Sequence, residues 1–318
     1  MSDFILTIAI PTFNRSDLLK ECLSCLVEQI QGQVEVLVCD NASTDDTYFV
    51  CKKYENFSFF KYIKNESNIG PDGNFLNCLK YARGQYVQLL SDDDILLPGA
   101  VSRILDQITL HPGASILRVN CCSFYKSYNS TKLSAPAYSI KSSIIFNDKN
   151  DFLEFVGFST VFMSTTIYSK NVFDSIKKPS KFIGTSLLQT HIIFECLAIN
   201  SLSIIIAETC VAARVGMPVG FSLLNVLAYE WKKVLYGTCK NLGYRNNIIR
   251  SVYAKTIKNN LPGMVRDTHL TEKKYGSVFA YIFPLTWNFP VAWFVLYPYA
   301  LLPITFLKLL SHIKRLLK

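Results

Sequence analysis

A chain of 318 residues, half of them hydrophobic and with a mean hydropathy of +0.21, has room for one large domain or for a domain with an extension. Its net charge of +9 is concentrated: residues 229–318 carry 14 Lys/Arg against Glu230, Asp267 and Glu272, which leaves the first 228 residues slightly acidic. A basic, apolar C-terminal third points to an anionic membrane surface, and no nucleic-acid module accompanies it, so nucleic acid is set aside as a partner. The ten cysteines form no framework. Cys22 and Cys25 make a C-x-x-C inside a helical pattern with no second pair at zinc spacing, so the thiols read as reduced core residues.

"MSDFILTIAIPTFNR" has an acidic residue and no charged-then-apolar leader, and reads as a first strand (Leu6–Ile10) rather than a signal peptide. Ser16 then caps a helix whose apolar positions Leu19, Cys22, Leu23, Leu26 and Ile30 follow the helical period. "VEVLVC" (Val34–Cys39) is a second strand, followed by Asp40-Asn41 and a helix from about Thr44. A third strand covers Phe57–Ile63, and "GPDGNFLNCLKYARG" is a helix with a Pro near its start and Gly84 at its close. "YVQLL" (Tyr86–Leu90) is the fourth strand, three aspartates follow it, and Gly99–His111 is a helix stopped by Pro112. From about 121 to 180 the pattern loosens into Ser/Lys/Asn-rich stretches with short β-like pieces, read as an acceptor-side region of the same domain. Residues 185–200 are helical, Ser203–Ala207 is a strand, and 222–262 is helical and basic.

Alternation of this kind predicts an α/β fold: a mostly parallel, Rossmann-like sheet flanked by helices. Ligands of such sheets bind beyond the carboxyl ends of the strands. Three polar clusters fall at those ends: Thr12-Phe13-Asn14-Arg15, Asp40-Asn41 and Asp92-Asp93-Asp94.

Adjacent carboxylates repel one another. The triplet is either a polar turn capping the next helix or a site for a divalent cation, since Mg²⁺ and Mn²⁺ take one or two carboxylates together with substrate phosphates. Such an ion would offset the repulsion and neutralise charge on a diphosphate leaving group. Asp40 can accept a hydrogen bond from a base edge, and Asn41 offers both donor and acceptor. In "NIG" (Asn68–Gly70), the missing side chain of Gly70 allows close approach to a ring or ribose.

The blocks "LTIAIPTFNR", "VEVLVCDNASTDDT", "NESNIGPDGNF" and "GQYVQLLSDDDILLPGAV" resemble, in order and spacing, the signature blocks of glycosyltransferase family 2, over roughly residues 5–115 and more weakly to about 216. The variant carrying Asn68, Gly70, Asn74 and Phe75 looks like the abequosyltransferase-type O-antigen branch. The resemblance implies a GT-A fold and transfer of a sugar (hexosyl or deoxyhexosyl) from a nucleoside diphosphate donor, with Mn²⁺ or Mg²⁺. Carried over by position, Pro11, Thr12, Asn14 and Arg15 line the nucleotide pocket, as do Asn68, Gly70 and Asn74. Asp40 faces the base with Asn41 beside it, a uridine or a cytidine fitting equally. Asp94 holds the metal, Asp92 the ribose or the metal, and Asp93 lies between them.

Inverting members of the family carry a Glu-Asp pair about a hundred residues further on, its Asp acting as general base. Here the matching positions, Leu188-Gln189, are not acidic. His191 and Glu195, one helical turn apart, are the nearest titratable groups and the candidate catalytic pair, while absence of a base would suit a retaining route. Arg214 is a candidate for the diphosphate, since a guanidinium grips two phosphate oxygens.

The expected organisation is a nucleotide-sugar-binding and catalytic domain at 1–220 and a helical extension at 221–318. From Tyr275 to Leu307 there are 33 residues without Asp, Glu, Lys or Arg, interrupted by Pro284, Pro290, Pro298 and Pro303. Four prolines argue against one straight span, and Phe306–Lys318 has the pattern of an interfacial amphipathic helix. The expectation is therefore a peripheral or monotopic enzyme at the cytoplasmic face of the inner membrane. Its acceptor would be a polyprenyl-linked oligosaccharide, or alternatively a polyprenyl phosphate. A non-catalytic nucleotide-sugar-binding scaffold, and use of the apolar segment between copies of the chain in a homo-oligomer, stand as other readings.

Overall fold

A computed structural model describes residues 4–129, 132–216, 223–272 and 275–301. The chain divides into two compact units, one formed by residues 1–152 with 159–218 and the other by 153–158 with 219–318.

In the first unit, β1 (Leu6–Thr12), β2 (Val34–Asp40), β3 (Phe60–Lys64) and β4 (Tyr86–Leu89) form a parallel sheet in the order β3-β2-β1-β4. All seven residues of β1 and all seven of β2 are buried, as expected of strands covered on both faces. The register sets Thr12 beside Asp40, so the polar residues that close these two strands share one rim.

Beyond β4 the sheet departs from the mostly parallel expectation. β5 (Ile95–Leu96), β6 (Ile116–Tyr125), β7 (Ile144–Phe146), β8 (Thr166–Ser169) and β9 (Ser203–Val215) continue it, β8 running antiparallel to both β4 and β6. β6 and β9 are parallel, and β5 and β7 each pair antiparallel with β9. The sheet is mixed. β6 extends into the region whose pattern loosens after residue 121, and β9 runs eight residues past Ala207. The register is irregular around Asn120, where the pairing of β6 with β9 slips. Asn120 holds this bulge, donating from Nδ2 to the carbonyls of Tyr138 and Ala207.

Helix α1 (Ser16–Val27) buries Leu19, Cys22, Leu23 and Leu26, the stripe its spacing predicts. Its start is held differently from expectation. Ser16 is the first helical residue rather than the cap, and its backbone N–H donates to Asp45 Oδ2 of the loop after β2 (2.8 Å). α2 (Thr47–Lys52), α3 (Gly70–Tyr81), α4 (Ala100–Leu110), α5 (Lys149–Val156), α6 (Lys170–Asp174) and α7 (Leu188–Ile199) complete the helices of this part of the chain. All ten cysteines are free, eight of them buried.

The second unit is helical, with Asn246–Asn259, Leu261–Glu272, Tyr275–Thr286 and Tyr297–Leu301 as its regular helices and π-helical turns at Val226–Glu230, Val234–Cys239 and Ala292–Leu296. Among the described residues no helix is long and apolar enough to cross a membrane. The amphipathic helix expected at Phe306–Lys318 lies outside the described residues.

One glycine fixes the lower end of the parallel sheet. A Cβ on Gly84 would sit 2.5 Å from the backbone N of Thr7 and 2.8 Å from its Oγ1, while the Gly84 N–H donates to that oxygen. Thr7 Oγ1 in turn donates to the buried Glu35, which pairs with Arg83. The obstacle is backbone, so Gly84→Ala is expected to lower the unfolding free energy by about 2 kcal/mol, measured by urea denaturation. An unchanged midpoint would show that β1 and β4 tolerate separation at this point.

Candidate active site

The loops after β1, β2 and β4 meet at one end of the parallel sheet. Thr12 Oγ1 donates to Asp92 Oδ2 (2.8 Å), and Arg15 Nη1 donates to Asp92 Oδ1 (2.8 Å) and Asp93 Oδ2 (3.1 Å). The cation that relieves carboxylate repulsion in this structure is therefore Arg15, bridging two of the three aspartates. Ser91 Oγ donates to Asp93 Oδ1 (2.6 Å). Asp94 faces elsewhere: its Oδ2 accepts from Ser164 Oγ (2.6 Å) and its Oδ1 from the backbone N–H of Arg214 (2.9 Å).

Burial dominates the electrostatics of this pair. Asp92 is 3% exposed and its carboxyl is pushed up to about 6, the pull of burial outweighing the opposing Arg15. Asp94, 2% exposed, is pushed up to about 7 by burial and then by its neighbour Asp93, against the hydrogen bond from Ser164.

Asp40 and Asn41 have protein partners rather than open faces. Asp40, fully buried, accepts from the backbone N–H of Ser43 (2.8 Å) and from Tyr62 Oη (2.6 Å). Burial and this carboxylate together hold the Tyr62 phenol well above its ordinary range. Asn41 donates to Asn68 Oδ1 (2.7 Å) and accepts from the N–H of Ile69 (2.9 Å), tying the end of β2 to the Asn68–Gly70 turn. Asn74 donates to the carbonyl of Cys39 (2.8 Å). These three residues build the rim from beneath. Pro11 is buried within β1, while Phe13, Asn14, Asn68 and Ile69 stand exposed at the mouth. Asn14 adopts a left-handed backbone (φ 52°), and its Oδ1 accepts from the N–H of Thr44 (2.8 Å), locking the loops after β1 and β2 together. Gly70 has φ 76°, and a Cβ added there would meet no atom within 4 Å, so backbone conformation rather than crowding calls for glycine.

In this structure each guanidinium nitrogen of Arg214 has a protein partner. Its Nε donates to the carbonyl of Asp93 (2.9 Å), its Nη2 pairs with Glu21 (2.5 Å), its Nη1 donates to the carbonyl of Lys126, and its plane lies over Phe124. With a side chain 2% exposed, it is a structural clamp on the aspartate loop.

His191 and Glu195 lie on α7. His191 is 4% exposed and stacks on Phe182 with ring centroids 4.4 Å apart; Glu195 is ion-paired to Lys181 at 2.6 Å. At the start of α7, where inverting family members carry an acidic pair, Leu188 and Gln189 are buried and neutral. The acid there comes from α3. Asp72 Oδ2 accepts from the N–H groups of Gly184 (2.8 Å) and Ser186 (2.9 Å), and Oδ1 from Leu188 (3.4 Å). Ser164 lies in none of the signature blocks, and Asp72, although inside "NESNIGPDGNF", is not singled out there; their partners lie about 70 and 112 residues away.

Among the described residues no group of three or more His, Cys, Asp or Glu is arranged around a common point. Asp92 and Asp94 nevertheless fit a hard divalent cation. Their four carboxylate oxygens each accept a hydrogen bond and keep a second lone pair, and Mg²⁺ or Mn²⁺ needs only one or two carboxylates when phosphates supply the rest.

A mixed sheet whose parallel half ends in a rim of buried carboxylates and asparagines defines an α/β protein of GT-A-like architecture. Residues 7–177 match Glycosyl transferase family 2, and the chain belongs to that family. The GalNAc(5)-diNAcBac-PP-undecaprenol beta-1,3-glucosyltransferase of Campylobacter jejuni is 31% identical over 181 residues, 56% of either chain. Abequosyltransferase RfbV of Salmonella typhimurium, of the branch suggested by Asn68, Gly70, Asn74 and Phe75, is 35% identical over 96 residues, 29% of either chain. The aligned region thus spans less than two thirds of these curated relatives. The crystal structure of S. aureus TarS 1-349 in complex with UDP-GlcNAc shares the fold, with a TM-score of 0.66 at 16% identity over 92% of this chain and 84% of that one.

The raised Asp94 carboxyl has a defined effect on stability. Below about pH 4 folded and unfolded chains both hold the proton, so burial adds no penalty; the penalty grows as pH rises toward 7 and is complete above it. An asparagine at 94 can still accept from the Arg214 N–H and donate to Ser164 Oγ. Asp94→Asn is therefore expected to stabilise the chelator-treated protein by about 2 kcal/mol at pH 8 and by nothing at pH 4, measured by thermal unfolding at both values. An equal shift at both would place the effect outside the ionisation of Asp94.

Proposed function

We propose that this protein transfers a sugar from a nucleoside diphosphate sugar to a lipid-linked oligosaccharide during assembly of an O-antigen-type surface polysaccharide. The observation that carries the reading is the buried pair Asp92 and Asp94 at the carboxyl end of a parallel sheet, in a family 2 chain whose Campylobacter and Salmonella relatives act, by their names, on a diphosphoundecaprenol-linked glycan and in abequosyl transfer.

In this reading the nucleotide lies across the rim of β1 and β2, against Pro11, Thr12 and Asn14, with the Asn68–Gly70 turn beside the base and ribose. Asp40, Asn41 and Asn74 act by holding that turn and the Ser43 loop in place rather than by offering free atoms. Mn²⁺ or Mg²⁺, held by Asp94 and Asp92, would supply charge neutralisation for the diphosphate. Thr12 and Arg15 orient Asp92, and Ser164 with the Arg214 backbone orients Asp94, so both carboxylates are set before the donor arrives. Arg15, with a side chain 36% exposed, is the cation free to turn from Asp93 toward a phosphate oxygen. The reading assigns the acceptor proton neither to His191, buried and stacked on Phe182, nor to Glu195, ion-paired to Lys181.

Thermal shift with a panel of UDP- and CDP-sugars in the presence of Mn²⁺ is expected to find one that raises the melting temperature, and Asp94→Ala is expected to remove that rise. Transfer to a polyprenyl diphosphate oligosaccharide should fall at least ~100-fold in Asp94→Ala, about 2.7 kcal/mol of transition-state stabilisation. Failure of every nucleoside diphosphate sugar to bind would sink the reading; binding without turnover on any lipid-linked acceptor would leave a nucleotide-sugar-binding protein in its place.

Within the site, Arg15→Ala should weaken nucleoside diphosphate binding yet also leave Asp92 and Asp93 without their shared cation. The expected result is a larger loss of affinity for the diphosphate than for the nucleoside, read by calorimetry. Equal losses would mean that Arg15 serves only the aspartates.

A further inference from the structure

The second unit carries an exposed aromatic surface separate in sequence from the aspartate cluster. Helix Tyr275–Thr286 and the helical segment from Ala292 to Leu301 are joined by a turn, closed by hydrogen bonds from the Phe289 N–H to the Thr286 carbonyl and from the Ala292 N–H to the Phe289 carbonyl (both 2.9 Å). One side of this hairpin is packed: Ile282, Thr286, Phe289, Ala292 and Leu296 are buried. The other side is open. Trp287 is 57% exposed, Trp293 52% and Phe294 83%, and the indole N–H of Trp293 donates to the Trp287 carbonyl, which sets the two indoles at the same tip.

A single exposed aromatic needs no explanation, whereas three within eight residues at one turn make a patch. Cations flank it. Arg250 donates to the carbonyl of Asn288 (3.2 Å) and lies over the Phe289 ring, and Lys232 Nζ donates to the carbonyl of Leu285 (2.6 Å). The chain beyond Glu272 contains no Asp or Glu at all, but does contain Lys273, Lys274, Lys308, Lys314, Arg315 and Lys318. Indole rings beside cations, in a stretch that carries no carboxylate beyond Glu272 to repel anionic headgroups, are the chemistry of a bilayer interface. The helix of 12 residues is about 18 Å long, well short of the roughly 30 Å hydrocarbon core, so the tip can enter a leaflet but not cross it.

We propose that Trp287, Trp293 and Phe294 form the tip by which this protein seats on a bilayer containing anionic phospholipid. The proposal rests on the transfer reaction proposed for the first unit only in that a lipid-linked acceptor requires such a surface. Trp293 also packs against Phe283 and Tyr297, so it is left intact in the test.

The experiment is flotation of the full chain with vesicles of phosphatidylcholine alone or with about 30 mol% phosphatidylglycerol, at low and high salt. Wild type should float with the anionic vesicles and be released by salt. The double variant Trp287→Ser/Phe294→Ser should bind at least tenfold more weakly, while Phe49→Ser, an equally exposed aromatic of the first unit (62%), should bind as wild type does. Nucleoside diphosphate sugar affinity, measured on the same proteins, should be unchanged in the double variant, so failure of this surface and failure of the donor site are read separately. The proposal is overturned if wild type does not float, if the double variant floats as tightly, or if the double variant merely converts a dimer to a monomer with vesicle binding intact.

Discussion

Three carboxylates in a row at the end of a buried strand can persist only if each is given something positive or something that donates. Here the sharing is specific. Arg15 lies between Asp92 and Asp93, Thr12 secures the far oxygen of Asp92, and Asp94 is turned the other way onto Ser164 and the Arg214 backbone. Because these donors come from β1 and the loop after it, from the short helical turn before β8 and from β9, the cluster draws on most of the first unit's sheet. Its cost is visible in the raised carboxyls of Asp92 and Asp94, which burial pushes toward the neutral form.

The layer behind the cluster is made of neutral amides and hydroxyls rather than ions. Asn41, Asn65, Asn68 and Asn74 hydrogen-bond among themselves, and Asn77 extends the set by donating to Asn65. An amide offers donors and an acceptor on one rigid plane, so a chain of them can fix three loops without adding charge beside the aspartates. The family match supplies the fold and the general site, but the match ends at residue 177 and Arg214 lies beyond it. The far wall of the carboxylate cluster therefore comes from a strand outside the matched region.

How much of this is legible in the sequence depends on the range of each interaction. The parallel half of the sheet is readable because β1, β2 and β4 are short, wholly buried runs followed at once by polar residues. The mixed half is not, since its pairings join segments far apart in the chain, β4 with β8 and β6 with β9 across a register slip at Asn120. At the site, the residue types at 12, 15, 92 and 94 announce themselves by position. Their pairings do not: nothing in the neighbourhood of Ser164 marks it as the partner of Asp94, and an arginine such as Arg214 reads the same whether its donors meet a phosphate or a backbone carbonyl. Asp40 stands out in the sequence as a site residue, but its burial against Tyr62 is not readable there.

The clamp made by Arg214 also bears on how the chain acquires its active form. Arg214 and Glu21 are 193 residues apart, one near the end of β9 and the other on α1, and the same arginine supplies the donor for one oxygen of Asp94. As the ribosome delivers the chain, the four parallel strands can pair as soon as Leu89 has emerged, yet Asp94 and the Asp93 carbonyl lack these partners until β9 is made. Contacts of such long sequence separation form late, because the loop they close must be ordered first. A nascent chain stopped short of β9 would have the sheet that carries the aspartates and an acidic loop without its final restraint. Completion of the aspartate cluster is thereby tied to completion of the domain.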